Sequence, residues 1–253
     1  MSGFEEYWTA VDAELAAAPA RPVLTPVPAR STDAFTAYDV HLSSVGGYRI
    51  FGFLSVPRGD GPFPGLLDTP RYGSVNLAPH YRDRLRYVVF AVMHRGQRLA
   101  DSPFQAAYPG LFTMGIDDPA TYVYRAIVAD CLRGAEFLLD HPAVDPARVG
   151  VRGDDLALVT ASRRPRFSAV YVNAPFDAPG ELDDLLRAEP AAEPAARATL
   201  SLFDPGLHAV DVPVLRAGHG FELTHEDAAD DTAADAWLAG KLGVAPIAKF
   251  AVT

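Results

Sequence analysis

Two adjacent aspartates follow a predicted strand at a place where many hydrolases carry their nucleophile. Residues 149–161 read VGVRGDDLALVTA, so that an apolar strand, a glycine turn and an apolar helix come in succession. In hydrolases this order presents a nucleophile on a strained turn, the nucleophile elbow. Here the turn holds Asp154 and Asp155, and residues 149–161 contain no serine. A carboxylate at this position has the chemistry of a nucleophile or of a general base.

The same two aspartates also have a purely structural interpretation. Aspartates at a helix start accept hydrogen bonds from unpaired backbone N–H groups and interact favourably with the helix dipole. We prefer this capping role for Asp154 and Asp155 because side-chain caps are common at helix starts.

A second group of polar residues is the sequence His94-Arg95-Gly96-Gln97, which follows the apolar run YVVFAVM. If that run is a strand, His94 lies at the carboxyl end of the sheet, where open α/β sheets bind ligands. A hydrogen-bonded structural histidine is the preferred alternative. Arg95 and Gln97 are expected to hold their loop against its neighbours.

A third group is a dense set of acids and histidines late in the chain. It could supply a catalytic acid and base or bind a divalent metal. Its spacing fits no metal template, and loops after strands are often this polar for solubility, so we predict no metal and no cofactor. The residues are His219, Glu222, His225, Glu226 and Asp227.

Composition limits the classes of partner. The chain of 253 residues has a formal net charge of -10, which argues against nucleic acid and anionic membranes. A small molecule or another protein is the expected partner. The single cysteine, Cys131, stands in an apolar periodic stretch and is predicted to be a buried thiol. The acidic N-terminus lacks the features of a signal peptide, so a cytoplasmic location is expected.

The order of the elements predicts one α/β domain over residues 1–253. An amphipathic helix over 3–18 and a Pro-rich linker over 18–30 precede a hairpin that turns at Gly46-Gly47. Short runs rich in Val and Leu then alternate with helical stretches, as in a doubly wound, mostly parallel sheet. Residues 180–200, rich in Ala, Glu and Pro, are expected to form a helical excursion or a lid. The apolar runs are PGLLDTP, YVVFAVM, RVGVRG, SAVYVNAP and VPVLRAG.

The landmarks resemble the acetyl xylan esterase and cephalosporin C deacetylase family of α/β-hydrolases over nearly the whole chain. The resemblance rests on a Tyr38-Asp39-Val40 hairpin, the Arg95-Gly96-Gln97 motif, YPGLFTMGIDDPATYVYRAIVAD over 108–130 and VDPARVGVRG over 144–153. It implies an α/β-hydrolase fold, here shortened at the C-terminus, and a possible homo-oligomer, since the family forms hexameric rings.

The resemblance also implies a divergent member that lacks the Ser-Asp-His triad. The family's elbow reads G-x-S-Q-G, which places Gly153 on the first glycine and Asp155 on the serine. The family's acid aligns with Phe221, one residue before Glu222, and its histidine lies beyond a strand equivalent to PIAKFAVT, the last residues of this sequence. Removing a triad member costs on the order of 10⁴ to 10⁶ in rate.

Other parts of the family's site are present. Tyr72 matches the tyrosine whose backbone N–H serves the family's oxyanion hole, and the loop of Arg95 and Gln97 is intact. Tyr108, Tyr122 and Tyr124 are expected to pack rather than to form a binding platform.

Three functions are compatible with these residues. The first is a pseudoenzyme that binds a small molecule or a protein partner. The second, ranked close to it, is an isomerase, epimerase or cyclase that uses carboxylates and the oxyanion site on an enolate-like intermediate. The third and least favoured is a weak deacetylase with Asp155 as nucleophile and His94 or His225 as base.

Overall fold

The computed structural model describes residues 3–72, 77–174, 178–216 and 227–245. One mixed sheet of eight strands runs through the described residues. The strands are Val23–Pro26 (β1), Phe35–Ser43 (β2), Arg49–Pro57 (β3), Phe63–Asp68 (β4), Val88–Val92 (β5), Val144–Asp154 (β6), Ala169–Ala174 (β7) and Val214–Arg216 (β8).

The strand order is β1-β2-β3-β5-β4-β6-β7-β8, and helices connect the later strands. Short 3₁₀ turns lie between several elements. The α-helices are Gly3–Ala17 (α1), Tyr81–Arg84 (α2), Val123–Leu139 (α3), Asp155–Arg163 (α4), Pro179–Ala188 (α5), Glu193–Ser201 (α6) and Asp227–Lys241 (α7).

The first three strands are antiparallel, and β2 and β3 form the predicted hairpin. Gly46 and Gly47 have φ angles of 68° and 71°, a conformation that glycine adopts without steric cost. The stretch expected to be a linker contains β1, which pairs along the free edge of β2. Its side chains are exposed, so backbone pairing rather than apolar burial holds this strand.

The strands β5, β4, β6, β7 and β8 are parallel, as predicted from their apolar runs. All five residues of β5 are buried because helices cover both faces of the sheet. On one face, α3 and α4 pack on the strands through Leu138 and Leu158. On the other face, Leu238 of α7 and Leu242, which directly follows α7, pack in one cluster with Leu66 of β4.

The predicted N-terminal helix is observed as α1, which docks through the fully buried side chains of Trp8, Val11 and Leu15. The Trp8 indole donates a hydrogen bond to the Leu202 carbonyl at 2.9 Å, so the apolar ring and its single polar atom are both accommodated. Truncating a buried aromatic of this size costs about 3–5 kcal/mol.

The segment expected as a helical excursion contains α5 and α6. Leu182 and Leu185 of α5 pack against the same apolar cluster as Leu156, which follows the elbow. This packing places α5 over residues close to the predicted site. Its role as a lid stays a prediction.

Candidate functional site

The elbow lies at the junction of β6 and α4. Gly153 approaches the neighbouring strand end so closely that a Cβ atom would lie 1.9 Å from the Thr69 hydroxyl oxygen, so only glycine fits there. The Asp154 carboxylate accepts a hydrogen bond from the Leu156 backbone N–H at 2.8 Å. The predicted capping role is therefore confirmed for Asp154, which is the N-cap of α4.

Asp155 begins α4 and makes an ion pair with Arg216. Its Oδ1 accepts a hydrogen bond from Arg216 Nη1 at 2.9 Å. The Asp155 side chain is 6% exposed, whereas that of Arg216, at the end of β8, is 50% exposed. A buried anion is thus held by a cation that reaches it from the carboxyl end of the sheet.

Arg216 is a site residue that reasoning from the sequence missed. It stands at the end of the run VPVLR, where an arginine could have been noticed as a charge at the carboxyl end of an apolar run. Its partner lies 61 residues earlier, and only the order β6-β7-β8 brings the two together.

The two aspartates of the elbow have different electrostatic environments. Burial raises the pKa of Asp154 to about 7, and the negative charge of Asp155 adds to this effect, while the hydrogen bond from the Leu156 N–H opposes it. A carboxylic acid with this pKa exchanges its proton near neutral pH, as general acids and bases do.

Tyr72 lies in the loop after β4, and its hydroxyl donates a hydrogen bond to Glu181 Oε1 of α5. The Phe112 backbone N–H donates to the other carboxylate oxygen of Glu181 at 2.9 Å. Burial and the hydrogen bond to Glu181 raise the pKa of Tyr72, so its hydroxyl stays protonated. The oxyanion role that the family resemblance implies for Tyr72 involves its backbone N–H and stays a prediction.

Tyr124 belongs to the apolar cluster that also contains Leu156, after the elbow, and Tyr72. The ring of Tyr124 is buried and packs edge-on against Phe112, with ring centres 5.9 Å apart. Burial raises the pKa of Tyr124, and the charges of Asp154 and Glu181 both contribute.

The packing role predicted for the tyrosines holds for Tyr122 and Tyr124, which are buried, but it is wrong for Tyr108. The side chain of Tyr108 is 77% exposed, and its hydroxyl bonds to Asp184 of α5. The physical reason is their location. Tyr122 and Tyr124 lie at the start of α3, which packs in the core, whereas Tyr108 precedes a turn at the surface.

His94 is buried and hydrogen-bonded, in agreement with the structural interpretation. Its ring Nδ1 donates to the Arg95 carbonyl, and its backbone N–H donates to Gln97 Oε1 at 3.0 Å. Burial lowers the pKa of His94, so its ring is neutral at physiological pH. Neither hydrogen bond reaches Asp155, which lies on the other side of β4 in the strand order.

Arg95 also has a structural environment. Its guanidinium donates to both carboxylate oxygens of the fully buried Asp130, at 3.0 and 2.8 Å, and stacks on the Tyr48 ring at 5.0 Å. Arg95 thus fastens the loop after β5 to α3 and to the hairpin, whereas Gln97 accepts a hydrogen bond from His94 within the loop.

A further set of buried charges lies at the ends of β4 and β6. Arg152 donates to Asp68 at 2.6 Å and to Asp83 at 2.6 Å, and Asp83 also pairs with Arg86. Burial raises the pKa of Asp68, and the positive charge of Arg152 opposes that shift. Each group has a partner of opposite charge, which is typical of a structural network.

Most residues of the late acid and histidine cluster are not among those that the structure describes. His219, Phe221, Glu222, His225 and Glu226 lie outside the described residues, as do residues 246–253. Within the part of the chain that is described, no group of three or more His, Cys, Asp or Glu side chains could hold a metal ion. No described helix is long and apolar enough to cross a membrane.

One pocket of about 230 Å³ opens beside the loop of Arg95. Neither Tyr72 nor Asp155 lines it, so it is separate from the elbow. Its walls include Tyr48, Arg95, Phe104, Met114, Tyr122 and Arg125.

Comparison with known proteins identifies relatives of this chain. The curated acetyl esterase Axe7A of Xylanibacter ruminicola is 27% identical over 202 residues, which make up 72% of this chain and 45% of that protein. The chain thus spans about half the length of this curated relative.

Two solved structures have a similar fold. The acetyl xylan esterase from Paenibacillus sp. R4 superposes with a TM-score of 0.76 at 22% identity, over 91% of this chain and 93% of that one. Acetyl xylan esterase 1 from Thermoanaerobacterium sp. JW/SL YS485 superposes with a TM-score of 0.73 at 24% identity, over 85% of this chain and 77% of that one. The predicted α/β-hydrolase fold is confirmed.

The family model of acetyl xylan esterase (AXE1) matches residues 2–180, which include the hairpin, the loop of Arg95, α3 and the elbow. Because this match covers most of the chain, the protein belongs to the acetyl xylan esterase family.

Proposed function

We propose that this member of the acetyl xylan esterase family binds a ligand at its elbow without hydrolysing an ester there. The observation that carries the proposal is the ion pair between Asp155 and Arg216, at the position where the family resemblance places the nucleophile. A nucleophile must offer an unshared electron pair to its substrate. Asp155 is buried and directs one oxygen at a cation, which stabilises the carboxylate and makes it a poorer nucleophile.

The same arrangement favours a binding role. The guanidinium of Arg216 is half-exposed and is oriented by Asp155 at the carboxyl end of the sheet, where α/β sheets bind ligands. We place a small molecule or a protein partner here, and we exclude nucleic acid because of the net charge of -10. Acetylated saccharides are the first ligands to screen, because the curated relative is an acetyl esterase.

An initial-rate assay with p-nitrophenyl acetate and an acetylated xylo-oligosaccharide tests the proposal. We expect the protein and its Asp155→Asn variant to match buffer alone. Turnover above buffer that falls in Asp155→Asn, but not in the exposed control Asp33→Asn, would overturn the proposal and make the protein an esterase. Thermal melting with the same saccharides then reports binding, since a ligand that binds the folded state raises the melting temperature.

A second function is supported by Asp154. A buried carboxyl with a pKa of about 7 suits proton abstraction in an isomerase or epimerase. Such an enzyme would incorporate solvent deuterium into a carbonyl substrate, which mass spectrometry detects. Loss of deuterium incorporation in Asp154→Asn, which keeps a capping side chain, would favour this function over ligand binding alone.

A further inference from the structure

Helix α5 holds the carboxylate of Glu181 in a niche built by another part of the chain. One carboxylate oxygen accepts from the Tyr72 hydroxyl, and the other accepts from the Phe112 backbone N–H at 2.9 Å. Both oxygens therefore have a donor, as they would in a site that recognises a bound carboxylate.

The floor of this niche is backbone. A Cβ atom on Gly110 would lie 2.1 Å from the Glu181 carboxyl carbon, so any other residue at 110 would displace the carboxylate. The close approach of a side-chain-free backbone to an anion is a usual feature of ligand sites. Gly110, Phe112 and Tyr72 thus form a preformed pocket of carboxylate size.

Other contacts of α5 do not depend on Glu181. Leu182 and Leu185 pack in the apolar cluster that includes Phe112, and Asp184 bonds to the Tyr108 hydroxyl. These contacts hold the helix in place through groups that need no buried anion. Within the niche, the Phe112 N–H also donates to the Tyr72 hydroxyl oxygen at 3.3 Å, which holds the two donors side by side.

We propose that Tyr72, Phe112 and Gly110 form a binding site for a small carboxylate, which Glu181 occupies as an internal competitor. An external carboxylate enters when the Glu181 side chain turns out of the niche while α5 stays in place. The niche and the elbow border the same apolar cluster, since Phe112, Tyr72 and Leu156 all belong to it.

A tethered carboxylate competes with an effective concentration in the millimolar range. Removing it should therefore increase the apparent affinity for a free carboxylate at least about tenfold. The probe is sodium acetate, which is titrated into the full chain. A titration with sodium chloride at the same ionic strength is the control. The amide resonance of Phe112 reports binding in a two-dimensional NMR spectrum.

We expect acetate to shift the Phe112 resonance saturably in Glu181→Ala, with an affinity at least about tenfold above that of the unmodified chain. The effect should vanish in Glu181→Ala combined with Tyr72→Phe, which lacks the hydroxyl donor. The matched control Asp184→Ala removes the hydrogen bond between α5 and the Tyr108 hydroxyl but leaves Glu181 in the niche. It should therefore behave like the unmodified chain.

Two results would overturn the proposal: equal titration of Glu181→Ala and the unmodified chain, or equal titration with and without the Tyr72 hydroxyl. Glu181→Gln provides a variant that keeps the size of the side chain, and it should bind acetate more tightly than the unmodified chain does. The titration involves no hydrolysis, so its result is independent of whether Asp155 supports catalysis.

Discussion

Arg216 Nη1 donates a hydrogen bond to Asp155 Oδ1 at 2.9 Å, and this ion pair ties the elbow to β8, two strands away in the sheet. The carboxylate is buried and the guanidinium is half-exposed. The Asp155 carboxylate therefore depends on Arg216 for its charged hydrogen-bond donor, whereas water can hydrate part of the Arg216 guanidinium.

Arg216→Ala should lower the free energy of unfolding by roughly 1–3 kcal/mol, because a buried carboxylate loses its charged donor. This is less than the loss for fully buried pairs, since solvent screens the half-exposed guanidinium. Urea unfolding measures the change. The matched control is Arg166→Ala, whose pair with Asp140 is exposed and should matter little. Adding Asp155→Asn should recover part of the loss; purely additive effects would contradict the coupling.

Asp154 should make stability depend on pH. Its pKa is about 7 in the folded protein, above the ordinary value of 3.8, so the folded state favours the protonated form. This contribution is fully present below about pH 4, decreases as the pH rises to about 7 and is then lost. The difference corresponds to at most about 4 kcal/mol.

Urea unfolding of Asp154→Asn against the unmodified chain, over this pH range, checks that prediction. Asparagine keeps the cap but does not titrate, so the variant should gain relative stability up to about pH 7 and then stay level. A constant difference at all pH values would show that Asp154 does not titrate in this range.

Gly153→Ala should lower the free energy of unfolding by roughly 2–4 kcal/mol, because its methyl group would overlap the Thr69 hydroxyl. The control is Gly180→Ala in α5, where a Cβ atom meets nothing within 4 Å and alanine favours the helix. Thermal melting compares the two. Equal melting temperatures for Gly153→Ala and the unmodified chain would mean that the elbow relaxes at no cost.

Arg152→Met should be among the most destabilising single changes in the sheet, with a loss of about 3–5 kcal/mol. The physical reason is that Asp68 and Asp83 would face each other without their shared cation. Thermal melting reports the loss, and Asp68→Asn in the same background should restore part of it. A melting temperature close to that of the unmodified chain would contradict the structural role of the network.

The Cys131 thiol should resist Ellman's reagent until the protein unfolds. Cys131 is fully buried in α3, and burial raises the pKa of the thiol well above its ordinary value. We expect modification in urea and very little in native buffer. Modification of the native protein at the rate of a free thiol would place Cys131 at an accessible site.

Much of the fold could be predicted from local patterns. The run YVVFAVM is uninterrupted by polar residues, as a strand buried on both faces must be, and Gly46-Gly47 supplies the turn between β2 and β3. Strand β1 could not be predicted in this way. Its residues 23–26 include a proline and lie exposed, and they form a strand only because β2 offers a free edge.

The candidate site, too, could be predicted from the sequence only in part. The sequence alone determined that two aspartates stand at the elbow and that Asp154 can cap the helix, because a cap joins residues only two or three positions apart. Tertiary structure decided which group faces each carboxylate. Arg216 is 61 residues from Asp155, and Glu181 is 109 residues from Tyr72, so only the strand order and the docking of α5 could bring them together. Pairing over such distances depends on the packing of whole elements, which local propensity does not encode.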